Sequence, residues 1–218
     1  MPKQSRSNPL ALAVLVSLYE RPMHPYEVAQ TLRSRAKQES VRLNYGSLYA
    51  TVESLERRGL IRATGTVREG RRPERTIYEI TDTGATELTD WMTELLGVPE
   101  KEYPKFMAGL SFMAALEPDD ALVALRSRAA GLRFKLTGLH AAIRAAQQAG
   151  LPRIFELETE YEEQMMEAEL HFVEKLVKEM DSGDLDGLDM WKSFHADGFN
   201  AEEVNYTFRY DPEEDSDD

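Results

Sequence analysis

Cysteine is absent from the chain, which excludes disulfides, thiolate metal sites and a cysteine nucleophile. No apolar run approaches the roughly 18 residues that a membrane helix needs. The opening MPKQSRSNPL carries basic residues but no secretory apolar core with a small-residue cleavage site behind it. Histidine is sparse: His24, His140, His171 and His195 are scattered, and neither HxxxH nor HExxH spacing occurs. The phosphate-cradling Walker and GxGxxG loops are missing, as is the GxSxG nucleophile elbow. The expectations are no enzyme activity, no metal, no cofactor, no membrane partner and a cytoplasmic location.

Positive charge is also scarce overall, with 26 Lys+Arg against 39 Asp+Glu and a net charge of −13. The deficit is uneven. Residues 1–80 hold 14 Lys+Arg and 8 Asp+Glu, leaving 12 and 31 for the remainder. A basic front on an acidic back is a polarity suited to a polyanion, because the local field rather than the total decides the encounter. At 218 residues, 42% of them apolar, the chain has material for one large domain or two small ones.

The front half predicts three short helices and a hairpin. Asn8 is an N-cap with Pro9 in the first turn, and Leu10, Val14 and Leu18 mark one buried face up to Arg21-Pro22. A second helix starts at Pro25, with Tyr26, Ala29, Leu32 and Ala36 at helical spacing. A third runs from about Ser47 to Arg58, burying Leu48, Val52 and Leu55, and Gly59 stops it. Leu60 to Val67 and Thr76 to Ile80 read as strands around an arginine-rich loop. Helix, helix, helix, strand, loop, strand is the order of a winged helix-turn-helix. Thr81 caps a fourth helix that ends near Gly97.

Behind it the pattern is helical. Phe106, Leu110, Met113 and Leu116 mark a short helix that stops at Pro118. Leu122, Leu125, Ala129, Leu132, Leu136, Leu139, Ile143 and Ala146 then alternate steps of three and four, the a/d series of a coiled coil. After Gly150-Leu151-Pro152 a second long helix puts Tyr161, Met165, Ala168, Phe172 and Leu176 on one side, widened by Met166, Val173, Val177 and Met180. That face is broader than one antiparallel neighbour covers and predicts a second copy of the chain. Leu132, Leu136, Leu139, Ile143, Tyr161, Met165, Phe172 and Leu176 are the expected dimerisation residues. The stretch from Leu188 to Tyr210 is aromatic enough for part of it to pack back, and the six acids in the last eight residues predict disorder there.

In a winged helix the third helix enters the DNA major groove by its first turns. Here that edge offers Asn44, Tyr45, Ser47, Tyr49 and Thr51, with no Lys or Arg before Arg57. Bidentate arginine–guanine readout is therefore excluded from its front. Hydroxyl contacts to phosphate, apolar contacts to thymine methyls and DNA shape remain. Arg68, Arg71, Arg72 and Arg75 fall within eight residues of the loop, placed to reach phosphates or a narrow minor groove. Trp91, Met92, Met107, Phe112 and Met113 are the candidate lining for a small apolar or aromatic effector.

His24-Pro25-Tyr26-Glu27, Asn44 to Tyr49, Leu55 to Ile61, Arg71-Arg72-Pro73-Glu74-Arg75 and Tyr78 to Gly84 closely resemble the PadR family of transcriptional regulators, in family order across residues 9–85. The back half is similar to the longer PadR subgroup with a C-terminal helical domain. The resemblance implies a mainly α chain: a winged helix-turn-helix with a two-stranded wing over residues 1–97, then an antiparallel, coiled-coil-like helical dimerisation domain over 98–184. Residues 185–218 form an extension outside the family pattern. It further implies a homodimer binding an inverted repeat in double-stranded DNA as a repressor released by a small molecule, with Tyr45, Ser47, Tyr49 and the wing arginines on the DNA. The alternative is a winged-helix protein–protein adaptor without DNA binding.

Overall fold

Asn8 starts the first helix by accepting a hydrogen bond from the Leu10 amide at 3.1 Å, and Pro9 takes the position where no amide is needed. The computed structural model describes residues 8–37, 41–67 and 75–196. The chain divides between Glu102 and Tyr103 into two units.

The first unit holds helices α1 (Pro9–Glu20), α2 (Pro25–Ser34) and α3 (Tyr45–Arg57), strands β1 (Ile61–Val67) and β2 (Arg75–Ile80), and helix α4 (Asp82–Gly97). Helix α3 begins two residues before the expected Ser47, because Asn44 rather than a later residue caps it, accepting from the Ser47 amide at 2.8 Å. Gly59, at φ +70°, ends it. Val14 and Leu15 of α1, Val28 and Ala29 of α2, Leu48 and Leu55 of α3, and Ile61 of β1 share one fully buried core, to which Leu88 and Trp91 join α4. The apolar face of α2 differs from the expected Tyr26-to-Ala36 stripe. Val28 fills the core beside Ala29 and Leu32, Tyr26 is left 38% exposed, and Ala36 follows the helix at φ +54°.

Strands β1 and β2 pair antiparallel from Ile61↔Ile80 to Val67↔Arg75, with one extra residue on β1 between Ala63 and Gly65. Such a bulge bends the strand and increases its twist. Met23, just before α2, adds a further rung: its amide and carbonyl exchange hydrogen bonds with Tyr78 at 3.0 and 3.1 Å. The base of the wing is thereby tied to the start of α2. At the far end of β2, Thr81 accepts from the Gly84 amide and donates to the Gly59 carbonyl at 2.7 Å. A Cβ at Gly84 would lie 2.0 Å from the Leu60 carbonyl oxygen, so glycine at this position is a steric requirement.

The second unit contains α5 (Lys105–Ser111), α6 (Pro118–Gln148), α7 (Leu157–Ser182) and α8 (Leu188–Ala196), with 3-10 turns at Met113–Ala115 and Arg153–Phe155. Helices α6 and α7 form an antiparallel hairpin across Gly150, which adopts φ +71°. Ala121, Leu125, Ala129, Leu132 and Leu136 are the buried line of α6, and Val173, Leu176 and Met180 that of α7. Arg128 meets Glu169 at 2.6 Å and Arg133 meets Glu174 at 2.9 Å across the seam. Helix α8 folds back: Leu188 and Trp191 are buried in the same core, and the Trp191 indole donates to the Leu116 carbonyl at 2.9 Å. Phe199, Tyr206, Phe208, Tyr210 and the acidic end lie outside the described residues.

The architecture is mainly α: a winged helix-turn-helix with a two-stranded wing, followed by a unit of helices. Among the described residues no helix is long and apolar enough to cross a membrane.

Candidate nucleic-acid interface

Helix α3 is two-faced. Leu48, Val52 and Leu55 are buried, while Ser47, Tyr49, Ala50 and Glu53 face outward. Asn44 is exposed but spends its side-chain oxygen on the cap. Tyr45 and Tyr49 are both exposed, at 38% and 43%, so neither ring packs inside. Thr51 departs from expectation: it is 7% exposed, on the face of Leu48 and Leu55, and its hydroxyl accepts weakly from Asn8 Nδ2 at 3.5 Å. Helical spacing turns it towards α1, so it is unavailable to a ligand outside.

The exposed tyrosines are held by neighbours. Tyr45 stacks on Tyr26, centroids 5.9 Å apart with the planes 8° from parallel. Arg33 also lies over the Tyr45 ring, 4.8 Å from its centroid, and donates to its hydroxyl at 2.6 Å. Arg75, the first residue of β2 beside the wing loop, stands 5.6 Å from the Tyr26 centroid. The result is a cluster of two guanidiniums and two stacked rings, Arg75, Tyr26, Tyr45 and Arg33, beside the N-terminus of α3. That helix end carries its own partial positive charge. Cation–π contacts hold such guanidiniums in place while leaving N–H groups to donate.

Tyr49 meets the edge of His24, centroids 6.3 Å apart at 70°. His24 caps α2: Nδ1 accepts from the Tyr26 amide at 3.0 Å, and Glu27 returns the bond by accepting from the His24 amide at 2.9 Å. His24 thus serves as the N-cap of the helix that starts at Pro25. An accepting Nδ1 places the proton of the neutral ring on Nε2. Burial, then the charge of Arg75, lowers the His24 pKa, and Glu27 opposes them. On the wing, Arg68, Arg71 and Arg72 lie outside the described residues.

Tyr26, Arg33 and His24 were not predicted as part of this surface. Tyr26 and Tyr45 are distant in sequence and no periodicity links them. The available signal was Pro25, which puts Tyr26 in the first turn of a helix whose core residues begin at Val28.

The other predicted groups sort as follows. Trp91 is buried in the first unit's core, with no partner for its indole N–H among the described residues, and Met92 packs against that core. Phe112 and Met113 line a groove of about 240 Å³ in the second unit with Phe106, Leu110, Leu125 and Arg128, while Met107 stands exposed. Of the expected dimerisation residues, Leu132, Leu136 and Leu176 are already buried within the single chain. Leu139 and Ile143 are half-buried, and Tyr161, Met165 and Phe172 are exposed. The broad apolar face of α7 thus splits into an inner stripe and an outer one.

Fold and surface together define the class: a winged helix-turn-helix domain with an exposed third helix, joined to a helical unit. Residues 14–90 match the transcriptional regulator PadR-like family, and the chain carries a PadR-like domain. A probable transcriptional regulator of Mycobacterium tuberculosis is 33% identical over 84 residues, or 38% of this chain and 43% of that one. The match therefore spans less than half of that relative's length. Among solved structures, Bacillus subtilis PadR in complex with operator DNA aligns over 78% of this chain and 97% of its own, with a TM-score of 0.64 and 19% identity. The Vibrio cholerae virulence activator AphA aligns over 79% and 98%, with a TM-score of 0.60 and 16% identity. At these identities the likeness is one of fold. The family is one of transcriptional regulators and not of enzymes.

Proposed function

We propose that this chain is a sequence-specific, double-stranded-DNA-binding transcriptional regulator acting as a homodimer on an inverted repeat. The observation that carries the reading is the exposed first turn of α3, with Ser47 and Tyr49 outward and Tyr45 held by Tyr26 and Arg33. Hydroxyls on α3 contact phosphates and base edges while its apolar atoms meet thymine methyls, Arg33 and Arg75 engage flanking phosphates, and the wing arginines Arg68, Arg71 and Arg72 extend the grip along the backbone. The acidic remainder of the chain keeps the attraction local to this face.

Homodimerisation is assigned to the second unit. Tyr161, Met165, Ala168 and Phe172 form an exposed apolar stripe along α7, which a second copy covers. Repression relieved by a small apolar or aromatic molecule is the regulatory mode proposed. Bacillus subtilis PadR has been solved with p-coumaric acid, and in this chain the groove beside Phe106, Phe112 and Met113 has the apolar lining such a molecule needs.

Selection of bound sequences from random duplex DNA tests this. Enrichment of a palindrome is expected, with the two half-sites about one helical turn apart. With three or four phosphate contacts per subunit, affinity for that palindrome should fall with salt at a log–log slope of about −5 to −7. No enriched sequence, or binding indifferent to salt, would instead favour the protein–protein adaptor.

A further inference from the structure

The rungs that cross from α6 to α7 are arginine–carboxylate pairs: Arg126 with Asp181, Arg128 with Glu169, and Arg133 with Glu174. Nearer the hairpin turn the pattern changes. His140 of α6 faces two carboxylates of α7, its Nε2 lying 2.9 Å from Glu163 and 3.8 Å from Glu167. Among the described residues neither glutamate has a Lys or Arg partner. Glu163 and Glu167 are four apart and so project from one helical face, and one ligand atom from each of the three residues lies within 4.8 Å of the other two.

Guanidinium has no lone pair to give a metal, whereas imidazole does. The substitution of histidine into an arginine ladder therefore exchanges a fixed cation for a donor, and opposes it with two like charges where the other rungs have one. We propose that His140, Glu163 and Glu167 bind a divalent transition-metal ion of the zinc type between α6 and α7, one per chain. Bonds of about 2.0–2.2 Å around a tetrahedral ion set its donors about 3.4 Å apart. The two histidine–carboxylate separations bracket that value, so small side-chain rotations complete the site. Two carboxylates neutralise the ion, and the nitrogen donor selects zinc or its neighbours over magnesium and calcium. Glu167 is exposed and Glu163 half-buried, which leaves the fourth position to water. The ion would pin the turn end of the hairpin, far along the seam from the core that α8 completes.

The test is calorimetric titration of the full-length, metal-free protein with zinc chloride in a non-chelating buffer. Saturable uptake of a single ion is expected. His140→Arg restores the ladder's arginine but removes the donor, and Glu163→Gln keeps the shape but removes a charge. Loss of outer-shell partners alone costs about 10–100-fold in metal affinity, so each variant should weaken uptake at least about tenfold while its helical circular dichroism is unchanged. Histidine-selective nitrogen NMR of the wild type supplies a readout that needs no variant: zinc should shift Nε2 of one imidazole alone. No saturable uptake, uptake that survives either substitution, or a shift spread over several imidazoles would overturn the proposal.

Discussion

The rings of Tyr26 and Tyr45 stack nearly parallel, so the first turn of α2 sets the angle at which α3 presents its own. An aromatic pair is worth about 0.5–1.5 kcal/mol beyond its buried area. Tyr26→Leu should accordingly weaken binding to the selected operator about 2–10-fold while leaving helix content unchanged. Fluorescence anisotropy with a labelled duplex reads this directly, and an unaltered Kd would show that Tyr45 needs no backing.

Two neighbours on α3 should behave in opposite ways. Tyr49 is outward, and Tyr49→Ala should cost about 1–3 kcal/mol of operator affinity with the oligomeric state retained. Thr51 is inward against Asn8, and Thr51→Val should leave affinity intact while changing only the melting temperature. Reversal of this order would mean that the helix turns the other face to DNA.

His24 gives the first unit a pH dependence whose sign is set. Its folded-state pKa is lowered, by burial first and then by Arg75, so folding favours the neutral, capping ring. The associated stability is present above the unfolded value of about 6.5 and is lost as pH falls through the lower folded value. Melting temperature should therefore decline on acidification across that window. His24→Asn supplies a cap that does not titrate and should flatten this part of the profile. A profile identical to the wild type would place the sensitivity elsewhere.

Gly84 sits against the Leu60 carbonyl with no room for a side chain. Gly84→Ala must push α4 or β1 aside, and overpacking of this kind costs about 1–3 kcal/mol or more. Chemical denaturation should show it as a lower midpoint, with the neighbouring Thr83→Ala near wild type. Equal midpoints for the two variants would refute the steric reading.

The exposed stripe on α7 predicts that Tyr161→Glu combined with Phe172→Glu shifts the protein from dimer to monomer. Light scattering measures this, with circular dichroism confirming the helices. A dimer that persists would move the interface away from this stripe.

Much of the front unit was legible because its signals are local. Asn8, Pro9, Gly59 and Thr81 act within one turn of themselves, and each does what its type implies. The start of α3 was read two residues late because Tyr45 and Gly46 look like loop residues until Asn44 is seen to cap them. Thr51 was misplaced for a related reason: a polar residue on a short helix shows no preference between faces when Leu48, Val52 and Leu55 already supply the apolar signal. The α6 seam from Leu125 to Leu136 was plain from its three–four steps. The division of α7 was not, since Tyr161 and Met165 look as apolar as Val173 and Met180, and only the partner helix distinguishes them. The His140 cluster was invisible for a different reason: its donors come from two helices, and spacing along either one reveals nothing.

Trp191 closes the core begun by Ala121 and Leu125, and this imposes an order on biosynthesis. Chains emerge from the ribosome at about 5–20 residues per second, with domains generally folding as units from the N-terminal end. The winged head, finished by Gly97, thus precedes the final wedge of the helical body by a delay on the order of 5–20 s. Throughout that interval a nascent molecule carries a finished winged unit while the core of its helical unit still lacks Leu188 and Trp191.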